Sequence, residues 1–524
     1  MIRIRDIILP AEHDQTALLY CAAQELRVKP SDITSLQIFK RSVDARKKPD
    51  LKWVYTVDVN LRMSEKRIMK GIRNRKITIE EPYFYHIDKK ASEDRPVIVG
   101  FGPAGMFAAL VLARSGLRPI VLERGAAAPE RKEKVDAFWS DGQLDEQSNV
   151  QFGEGGAGTF SDGKLNTGTK NVRSRWVLEQ MVHFGALEEI LYDAKPHVGT
   201  DVLFYLVQRL RERVISLGGE VRFGAKMTAL ETENDRICGV KYEHNGEEHR
   251  LSCKHVILAI GHSARDTFRM LHASGIAMEP KPFSMGVRIE HKQSLIDLSQ
   301  YGTERPKGIP PADYKLSVHL PDGNSAYTFC MCPGGYVVAA ASQTEGVVTN
   351  GMSYAARDGE TANSALLVTL KPEDFPSKDT LGGMYWQEEI EHRAFVLGGG
   401  NYFAPSQTVG DFLAHRPSEK VSGTYRPGLM PCDLHKLYPE KITKTLEQAI
   451  VALNEKLEGF ADPSAILTAP ETRSSSPVRI VRGEDYQSEL KGLYPCGEGA
   501  GYAGGIMSAA VDGMLCAEAI IREI

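Results

Sequence analysis

The segment from Pro96 to Arg124 constrains the fold more than any other part of the chain. It reads PVIVGFGPAGMFAALVLARSGLRPIVLER: an apolar strand, a glycine turn, a helix and a second strand that ends in an acid. A G-x-G-x-x-G turn between strand and helix predicts a dinucleotide-binding α/β unit. Gly100 permits the tight turn, Gly102 leaves room for a pyrophosphate, and Gly105 lets the helix pack against the strand.

The same unit predicts where a dinucleotide binds. The helix begins near Pro103 and Ala104, and its free N–H groups and positive dipole end suit the phosphates. Glu123 lies 18 residues beyond Gly105. At that spacing its carboxylate accepts hydrogen bonds from both hydroxyls of an adenosine ribose, with Arg124 beside it.

A second segment, near the end of the chain, decides which dinucleotide. Residues 492–520 read GLYPCGEGAGYAGGIMSAAVDGMLCAEAI, a short strand, an acid after Gly497, and a helix that begins near Gly505 and Ile506. A flavin needs such an element, because its ribityl chain requires an acceptor and its ring is stabilised by a positive helix end. Glu498 is the predicted ribityl acceptor.

A third segment, residues 255–262, reads HVILAIGH and predicts a buried strand that ends at Ala259 and Gly261. Such a strand completes a cofactor domain before the substrate domain begins. The three segments together indicate FAD.

These segments resemble the flavoprotein superfamily that includes glutathione reductase, p-hydroxybenzoate hydroxylase and the fumarate reductases. The runs FGEGGAGTFSDGKLN (152–166) and ETRSSSPVR (471–479) more closely resemble a bacterial family of uncharacterised FAD-dependent dehydrogenases, and the resemblance extends over nearly the whole chain. It implies FAD, an oxidoreductase activity and an FAD/NAD(P)-binding Rossmann-like domain with an inserted α+β substrate domain. It also implies that Lys226 and Met227 contact the adenine. Many superfamily members carry Asp at the position of Glu498.

The first part of the chain differs in charge from the rest. Residues 1–95 hold 20 Lys and Arg against 14 Asp and Glu, whereas the whole chain has a net charge of −4. Strands near 2–8, 34–43, 52–61 and 82–87, with helices near 13–27 and 64–74, give the β-α-β-β-α-β order of a ferredoxin-like α+β domain. We predict a ferredoxin-like domain over 1–90, an FAD domain over 95–280 and 466–524, and a substrate domain over 281–465.

RNA-binding RRM domains share the β-α-β-β-α-β order, and the run Arg46-Lys47-Lys48 is basic. The RNP1 pattern of glycine and aromatic residues is absent from the sequence, and edge strands commonly carry Lys and Arg to discourage pairing. We therefore interpret the run as a solvated hairpin tip and expect no nucleic acid partner. Docking on the flavin domain, dimerisation and a partner surface remain as roles for the first domain, and the sequence indicates no oligomeric state.

The glycine-rich segment 152–166 lacks the hydrophobic periodicity of a surface helix. We predict that it wraps around the flavin, with its turn contacting the cofactor and its polar side chains near the ring; the alternative is a mobile lid. The predicted cofactor contacts in this segment are Gly155, Gly156, Ala157, Gly158 and Thr159. The predicted polar groups near the ring are Thr159, Ser161, Lys164 and Asn166.

Three residues are the catalytic candidates. Lys164 would favour reduced flavin as a cation near N1. Cys332 follows Cys330 by two residues, so both thiols are expected on one face of a strand and near the flavin. Arg473, like Arg357, carries a guanidinium fork that suits a substrate carboxylate. Each has a purely structural role as its alternative.

A second complete G-x-G-x-x-G unit is missing from the sequence, so no separate NAD(P)H domain is predicted. Electrons then come from the substrate, from NAD(P)H bound at the ring, or from a partner protein. We predict an FAD-dependent dehydrogenase or reductase that transfers a hydride between flavin and an anionic small molecule. The alternatives are a flavoprotein monooxygenase and a flavin-stabilised binding protein that interacts with RNA.

The chain begins MIRIRD, which has charges where a signal peptide needs an apolar core, and its apolar stretches are interrupted by charge. We expect a cytoplasmic protein with no membrane partner. Its eight cysteines are scattered without C-x-x-C or paired ligand spacing, which predicts reduced thiols and no metal framework.

Overall fold

The computed structural model describes residues 1–14, 16–82, 84–166 and 171–524. Its first unit is an antiparallel four-stranded sheet with strand order β2-β3-β1-β4 and two helices. Alternate residues of β1, such as Ile2 and Ile4, are buried, because one face of the sheet packs on the core. The elements are β1 (Ile2–Pro10), α1 (Ala17–Leu26), β2 (Ile33–Asp44), β3 (Lys52–Leu61), α2 (Glu65–Met69) and β4 (Ile77–Ile79).

The fourth strand of this unit differs from the prediction at 82–87. It lies at Ile77–Ile79, where isoleucine and threonine alternate, and the described residues 84–87 form no strand. Pro82 cannot donate to a ladder. Tyr85 instead packs on Trp176, with ring centroids 5.1 Å apart, and its hydroxyl donates to Glu518 at 2.6 Å. The segment is therefore a linker held against the unit that follows.

The second unit begins with the predicted strand, turn and helix. Its first elements are β5 (Val97–Val99), α3 (Pro103–Ser115), β6 (Ile120–Leu122), α4 (Ala128–Asp141), α5 (Val172–His183), α6 (Thr200–Ser216), β7 (Glu220–Arg222), β8 (Ala225–Glu233), β9 (Arg236–His244), β10 (Glu247–Ser252), β11 (Val256–Leu258) and α7 (Arg265–Ala273).

An inserted unit follows, with a seven-stranded sheet as its centre. Its elements are β12 (Met278–Pro280), β13 (Phe283–Lys292), α8 (Gln293–Tyr301), β14 (Ser317–His319), β15 (Ser325–Cys332), β16 (Tyr336–Ala339), β17 (Thr349–Met352), β18 (Thr361–Leu370), α9 (Gly382–Leu397), β19 (Ala404–Thr408), α10 (Val409–Leu413), β20 (Leu429–Pro431), α11 (Glu440–Asn454), β21 (Ile466–Glu471) and β22 (Val478–Ile480). The sheet order is β14-β15-β18-β13-β21-β19-β20. Short 3-10 helices lie at Pro30–Asp32, Gly156–Phe160, Glu188–Leu191, Pro372–Asp374 and Leu434–Lys436.

The chain then returns to the second unit through β23 (Leu493–Pro495) and α12 (Ile506–Glu523). The five strands β23, β11, β5, β6 and β7 form a parallel sheet in that order. In a parallel sheet the carboxyl ends of the strands lie along one edge, which is where ligands bind. The residues that follow these strands are those the sequence predicts to bind the cofactor.

The first unit is tied to the other two by specific contacts. The Arg41 guanidinium donates to both carboxylate oxygens of Asp193, at 2.7 and 3.1 Å, and Lys48 Nζ donates to the Ser299 carbonyl at 2.5 Å. Apolar residues of this unit and of the inserted unit also form one continuous core. Among the described residues, no helix has the length and apolar character needed to cross a membrane.

Candidate cofactor and substrate site

A cavity of about 520 Å³ runs along the carboxyl edge of the parallel sheet and ends against the inserted unit. Most of the residues predicted to bind the cofactor line it. They are Gly100, Gly102, Pro103, Ala104, Glu123, Arg124, Gly156, Ala157, Gly158, Lys226, Met227, Ala259, Gly261, Gly497, Glu498, Gly505 and Ile506.

Three residues predicted to bind the cofactor lie behind the cavity wall. A Cβ on Gly105 would lie 2.0 Å from the Gly100 carbonyl oxygen, so this glycine serves the close helix packing that the sequence predicts. Gly155 and Thr159 are predicted to contact the cofactor, but they do not line the cavity. A Cβ on Gly155 would lie 2.1 Å from Thr159 Oγ1, which donates to the Glu154 carbonyl at 3.1 Å. These two residues fix the backbone of the glycine-rich segment.

The phosphate part of the cavity is a cradle that side chains would fill. Gly100 has φ +98°, and a Cβ there would lie 2.3 Å from the Ala259 carbonyl oxygen. The space beside Gly102 is open, because a Cβ would meet only the Gly156 Cα at 3.7 Å. Gly102 is also the cap of α3, whose free N–H groups therefore face the cavity.

A second helix begins at the cavity beside the start of α3, since a Cβ on Gly158 would contact both Ile506 at 3.3 Å and Pro103 at 3.6 Å. Gly504 and Gly505 have no atom within 4 Å of a Cβ position, and α12 starts at the next residue, Ile506. Two helix N-termini beside open glycine backbone suit a ligand with a pyrophosphate and a ring that carries negative charge when reduced. The residues present therefore fit FAD.

Glu123 is held rigidly at the adenosine end. Its Oε2 accepts from the Phe101 N–H at 2.7 Å, and its Oε1 accepts from the N–H groups of Gly125 and Gly153, each at 2.9 Å. A carboxylate has about four acceptor positions. Three are taken by the backbone, so about one remains for a ribose hydroxyl, against the two hydroxyls expected from the sequence.

Arg124 and Lys226 converge on one carboxylate at this end. Arg124 donates to both oxygens of Asp266 at 2.9 Å, and Lys226 Nζ lies 2.8 Å from Asp266 Oδ2. Burial alone would raise the pKa of Asp266, but the two cations hold it well below its usual range. The Arg124 guanidinium also lies 4.2 Å from the Phe152 ring centroid. This cluster joins β6, β8 and α7 around the adenine end.

Glu498 has a partner that sequence reasoning missed. Its Oε1 lies 3.0 Å from Nδ1 of His262. His262 lines the cavity, and its Nε2 is buried without a hydrogen-bond partner in the described parts of the chain. The signal was available in the sequence, since His262 directly follows Gly261 at the end of a cofactor strand.

Arg131, on α4, is the second residue that sequence reasoning missed. Its guanidinium is fully buried and donates to four carbonyl oxygens of the glycine-rich segment and the loop before it. The acceptors are Asn149 and Val150, each at 2.9 Å, Glu154 at 2.6 Å and Gly156 at 2.9 Å. Burial lowers the pKa of Arg131 to about 10. A single cation thus shapes the backbone that closes the cavity.

The polar part of the glycine-rich segment reaches the cavity as predicted. Ser161, Lys164 and Asn166 line it. Lys164 Nζ is inaccessible to solvent, lies 3.8 Å from Asp162 Oδ2, and makes no hydrogen bond to a described residue. An ammonium held in this way supplies positive charge to a ligand in the cavity.

Both cysteines of β15 line the cavity. The strand has an irregular register between Phe329 and Cys332, and Cys330 has φ +43°. Cys330 is exposed at this bulge, whereas Cys332 is buried and its thiol donates to the Cys330 carbonyl at 3.2 Å. The catalytic role of Cys332 stays a prediction. The surrounding protein desolvates Cys330 and raises the pKa of its thiol to about 12.

The guanidinium fork of Arg473 is already occupied. Its Nε and Nη2 donate to Glu391 at 3.0 and 2.7 Å, and Glu391 also pairs with Arg265 at 2.7 Å. Burial raises the pKa of Glu391, but the two arginines outweigh it and hold that pKa well below its usual range. The expected carboxylate-binding role of Arg473 is therefore corrected, because the fork is engaged inside the protein.

Arg357 is engaged in the same way, with Nε and Nη2 both donating to the Asp162 carboxylate. Burial raises the pKa of Asp162, but Lys164 and Arg357 together lower it to about 2. Arg357 is thus part of the wall behind Lys164, and its predicted role as an anion ligand is corrected.

The mouth of the cavity on the side of the inserted unit carries exposed lysines. Lys195 and Lys315 line it together with Tyr314. Lys195 Nζ lies 2.5 Å from Asp313 Oδ1. Lys164 also lines the cavity, as do Asp162, Asp313 and Glu471, which pair with Arg357, Lys195 and Arg288. After these pairs, Lys164 and Lys315 leave an excess of positive charge at the substrate end.

Comparison with known proteins gives two family matches and one close relative. Residues 282–474 match the family described as FAD-dependent protein, C-terminal domain-like, and residues 1–60 match a domain of unknown function. An uncharacterized protein of Clostridium beijerinckii is 46% identical over 532 residues, covering 100% of this chain and 99% of that protein. The family description and the cradle identify FAD as the cofactor.

Several solved structures are similar at lower identity. A triple mutant of a flavin-dependent brominase has 14% identity and a TM-score of 0.37, covering 82% of this chain and 80% of that chain. A geranylgeranyl bacteriochlorophyll reductase-like protein from Thermoplasma acidophilum has 14% identity and a TM-score of 0.36, covering 84% and 80%. Glycerol-3-phosphate dehydrogenase from Bacillus halodurans has 12% identity and a TM-score of 0.34, covering 82% and 64%.

Proposed function

Since the chain belongs to the same family as the uncharacterized Clostridium beijerinckii protein, and FAD is its cofactor, we propose that it is an FAD-dependent oxidoreductase. It moves a hydride between the flavin and an anionic small molecule. The observation that carries this proposal is the single cavity that joins the dinucleotide cradle to the inserted unit. A ligand entering past the inserted unit reaches the end of the cavity opposite the adenosine site.

The charge along the substrate end supports the anionic class. Lys164 lies inside, and Lys195 and Lys315 lie at the mouth, so a negative ligand is attracted at the entrance and again near the ring. Lys195 shares its charge with Asp313, whereas Lys315 is exposed. Substitution of Lys315 therefore tests the role of positive charge at the mouth more directly than substitution of Lys195.

The residues of the chain bind FAD and fix its orientation. FAD, when bound, supplies the redox chemistry. Glu498 accepts hydrogen bonds from the ribityl hydroxyls, and His262 fixes the direction of that carboxylate. The N-terminus of α12 places positive dipole charge where the ring becomes negative on reduction. Lys164 adds a full positive charge on the other wall.

An anaerobic reduction assay tests the proposal. The FAD-loaded protein is mixed without oxygen with NADH, NADPH and a panel of anionic and neutral metabolites, and bleaching of the flavin's visible absorption band is followed. We expect a subset of anionic metabolites to reduce the flavin or, after reduction by NAD(P)H, to reoxidise it. Reoxidation by oxygen with hydroxylation of the ligand would replace the proposal with a monooxygenase. Failure of every anion, with reduction by a neutral compound, would contradict the anionic class.

Once a reactive anion is found, Lys315→Ala tests whether positive charge at the mouth of the cavity helps to bind it. Loss of one exposed charge should raise the KM of that anion roughly two- to fivefold with kcat unchanged. Lys307→Ala is the matched control, because Lys307 is exposed on the same inserted unit and does not line the cavity. An equal effect of both variants would show that only the overall charge matters.

We also propose how the chain divides into domains. The ferredoxin-like domain predicted over 1–90 comprises residues 1–80, because their order β-α-β-β-α-β and sheet order β2-β3-β1-β4 are those of that fold, and the segment around Tyr85 is a linker. The FAD domain includes residues 95–280 and the C-terminal part of the chain with β23 and α12. The inserted substrate domain begins near 281 and extends past the predicted boundary at 465, because β21 (Ile466–Glu471) pairs with β13 in the seven-stranded sheet. The parallel sheet, which needs β23 from the end of the chain, supports the discontinuous FAD domain.

A further inference from the structure

Three side chains that can bind a metal converge on the inserted unit, apart from the cavity. His415 follows the end of α10, His435 lies in the 3-10 helix Leu434–Lys436, and Glu447 lies on α11. Glu447 Oε1 lies 2.6 Å from His435 Nε2 and 3.4 Å from His415 Nε2. One ligand atom from each residue lies within 4.8 Å of the other two.

His435 is held between two carboxylates. Its Nδ1 lies 2.8 Å from Asp433 Oδ1, while its Nε2 faces Glu447. In the tautomer whose Nδ1–H donates to Asp433, the Nε2 lone pair is directed at Glu447 Oε1. A metal ion shared by these two groups would use the imidazole nitrogen and the carboxylate as ligands.

A second imidazole faces the same carboxylate oxygen. The His415 and His435 rings are stacked, with centroids 4.6 Å apart and an angle of 24° between their planes. His415 Nε2 lies 3.4 Å from Glu447 Oε1. The two imidazoles and Glu447 thus offer one ligand atom each to a single divalent ion.

We propose that His415, His435 and Glu447 bind a divalent transition-metal ion of the Zn²⁺ class. Two imidazole nitrogens and one carboxylate oxygen suit this class. Asp433 accepts from His435 Nδ1, which is the outer contact that fixes a metal-binding histidine. Phe412 stacks on the other face of His435 at 4.6 Å and fixes the ring plane. The sequence separations of these ligands match no metal motif, which is why composition and spacing predicted none.

The position of the site indicates a structural role. It joins the end of α10, the 3-10 helix and α11, which are separate elements of the inserted unit. His415 is 65% exposed, whereas His435 and Glu447 are 20% and 19% exposed. An ion can therefore enter from solvent, and water completes its coordination. An ion that binds only the folded state raises the stability of the whole chain.

Calorimetric titration of the chelator-treated, FAD-loaded full chain with ZnCl₂ tests this site. We expect one tight Zn²⁺ per chain, a rise in Tm with added Zn²⁺, and loss of both effects in His415→Ala and Glu447→Gln. Asp433→Ala should weaken Zn²⁺ binding about 10- to 100-fold, because it removes only the outer contact. FAD content reports whether each variant is folded.

His392→Ala is the matched control. His392 is an exposed histidine on α9 whose Nδ1 lies 4.0 Å from Glu345 Oε2, and it has no second imidazole beside it in the described structure. This variant should bind Zn²⁺ like the parent chain. Absence of Zn²⁺ binding by a folded parent, or equal binding by the parent and Glu447→Gln, would overturn the proposal.

Discussion

Gly100 and Gly102 lie two residues apart in one turn, yet they serve different requirements. A Cβ on Gly100 would overlap the Ala259 carbonyl in the protein itself, so a side chain there prevents the fold. A Cβ on Gly102 meets only an ordinary contact at 3.7 Å and otherwise points into open space. Folding and cofactor binding can therefore be separated by choosing the glycine.

Gly102→Val should abolish FAD retention while the chain still folds, because the side chain occupies the pyrophosphate position. The measurement is the flavin-to-protein absorbance ratio after purification, together with circular dichroism. Gly71→Val is the matched control, since a Cβ there meets one backbone oxygen at 3.6 Å and the residue lies outside the cavity. Full FAD occupancy in Gly102→Val would contradict the cradle.

Glu498→Ala should weaken FAD binding by about 1.5–3 kcal/mol, the usual contribution of hydrogen bonds to a charged group. This corresponds to about ten- to a hundredfold in Kd. Fluorescence titration of the apoprotein with FAD measures it. His262→Ala should weaken binding less, because the imidazole orients the carboxylate without replacing it, and the double variant should resemble Glu498→Ala. Normal FAD binding with lost turnover in Glu498→Ala would assign the carboxylate to the chemistry instead.

The glycine-rich segment depends on an element distant from it in sequence. Its backbone is irregular, and the α4 side chain Arg131 holds it through four carbonyl contacts. Periodicity cannot reveal such a contact, because the arginine lies on an ordinary amphipathic helix. The same limit applies to β15, where a bulge leaves Cys330 exposed and Cys332 buried, a difference that strand alternation does not predict.

Arg131→Met should lower the free energy of unfolding by about 3 kcal/mol, if the buried carbonyls of Asn149, Val150 and Gly156 each cost about 1 kcal/mol without this donor, while the Glu154 carbonyl keeps Thr159 as a donor. FAD affinity should fall as well, because the segment lines the cavity. Urea unfolding with and without FAD measures both effects. Lys132→Met is the control; Lys132 is exposed and pairs only with Asp136 one turn away, so its loss should cost less than about 0.5 kcal/mol.

The features that the sequence predicts well lie within short segments. The features that it misses are contacts between residues distant in sequence. The strand-turn-helix at Gly100, the acid Glu498 and the position of α12 follow from short segments whose geometry is fixed by a ligand of known shape. The pairs Arg473–Glu391 and Arg357–Asp162 join residues 82 and 195 positions apart, and their partners carry no local signal. An arginine that looks available in sequence is therefore engaged in the fold.

Among the residues that the structure describes, the first unit contributes none to the cavity lining, which begins at Val99. It is nevertheless attached by the Arg41–Asp193 pair, by Lys48 and by apolar residues that share a core with the inserted unit. The linker residue Tyr85 contacts Trp176 and Glu518 of the FAD domain. The linker therefore belongs with the part of the chain that follows it.

Deletion of residues 1–80 should leave FAD stoichiometry intact and lower thermal stability, because it spares the cavity and the Tyr85 anchor but exposes apolar surface of the inserted unit. Flavin content, Tm and light scattering measure these outcomes. Arg41→Ala in the full chain is the milder comparison: it removes the ion pair without removing the domain, so the first unit should become more sensitive to protease while FAD content stays constant. A soluble 81–524 fragment that cannot hold FAD would show that the first unit is needed to form the cavity, and the division between the two domains would then have to move into the FAD site.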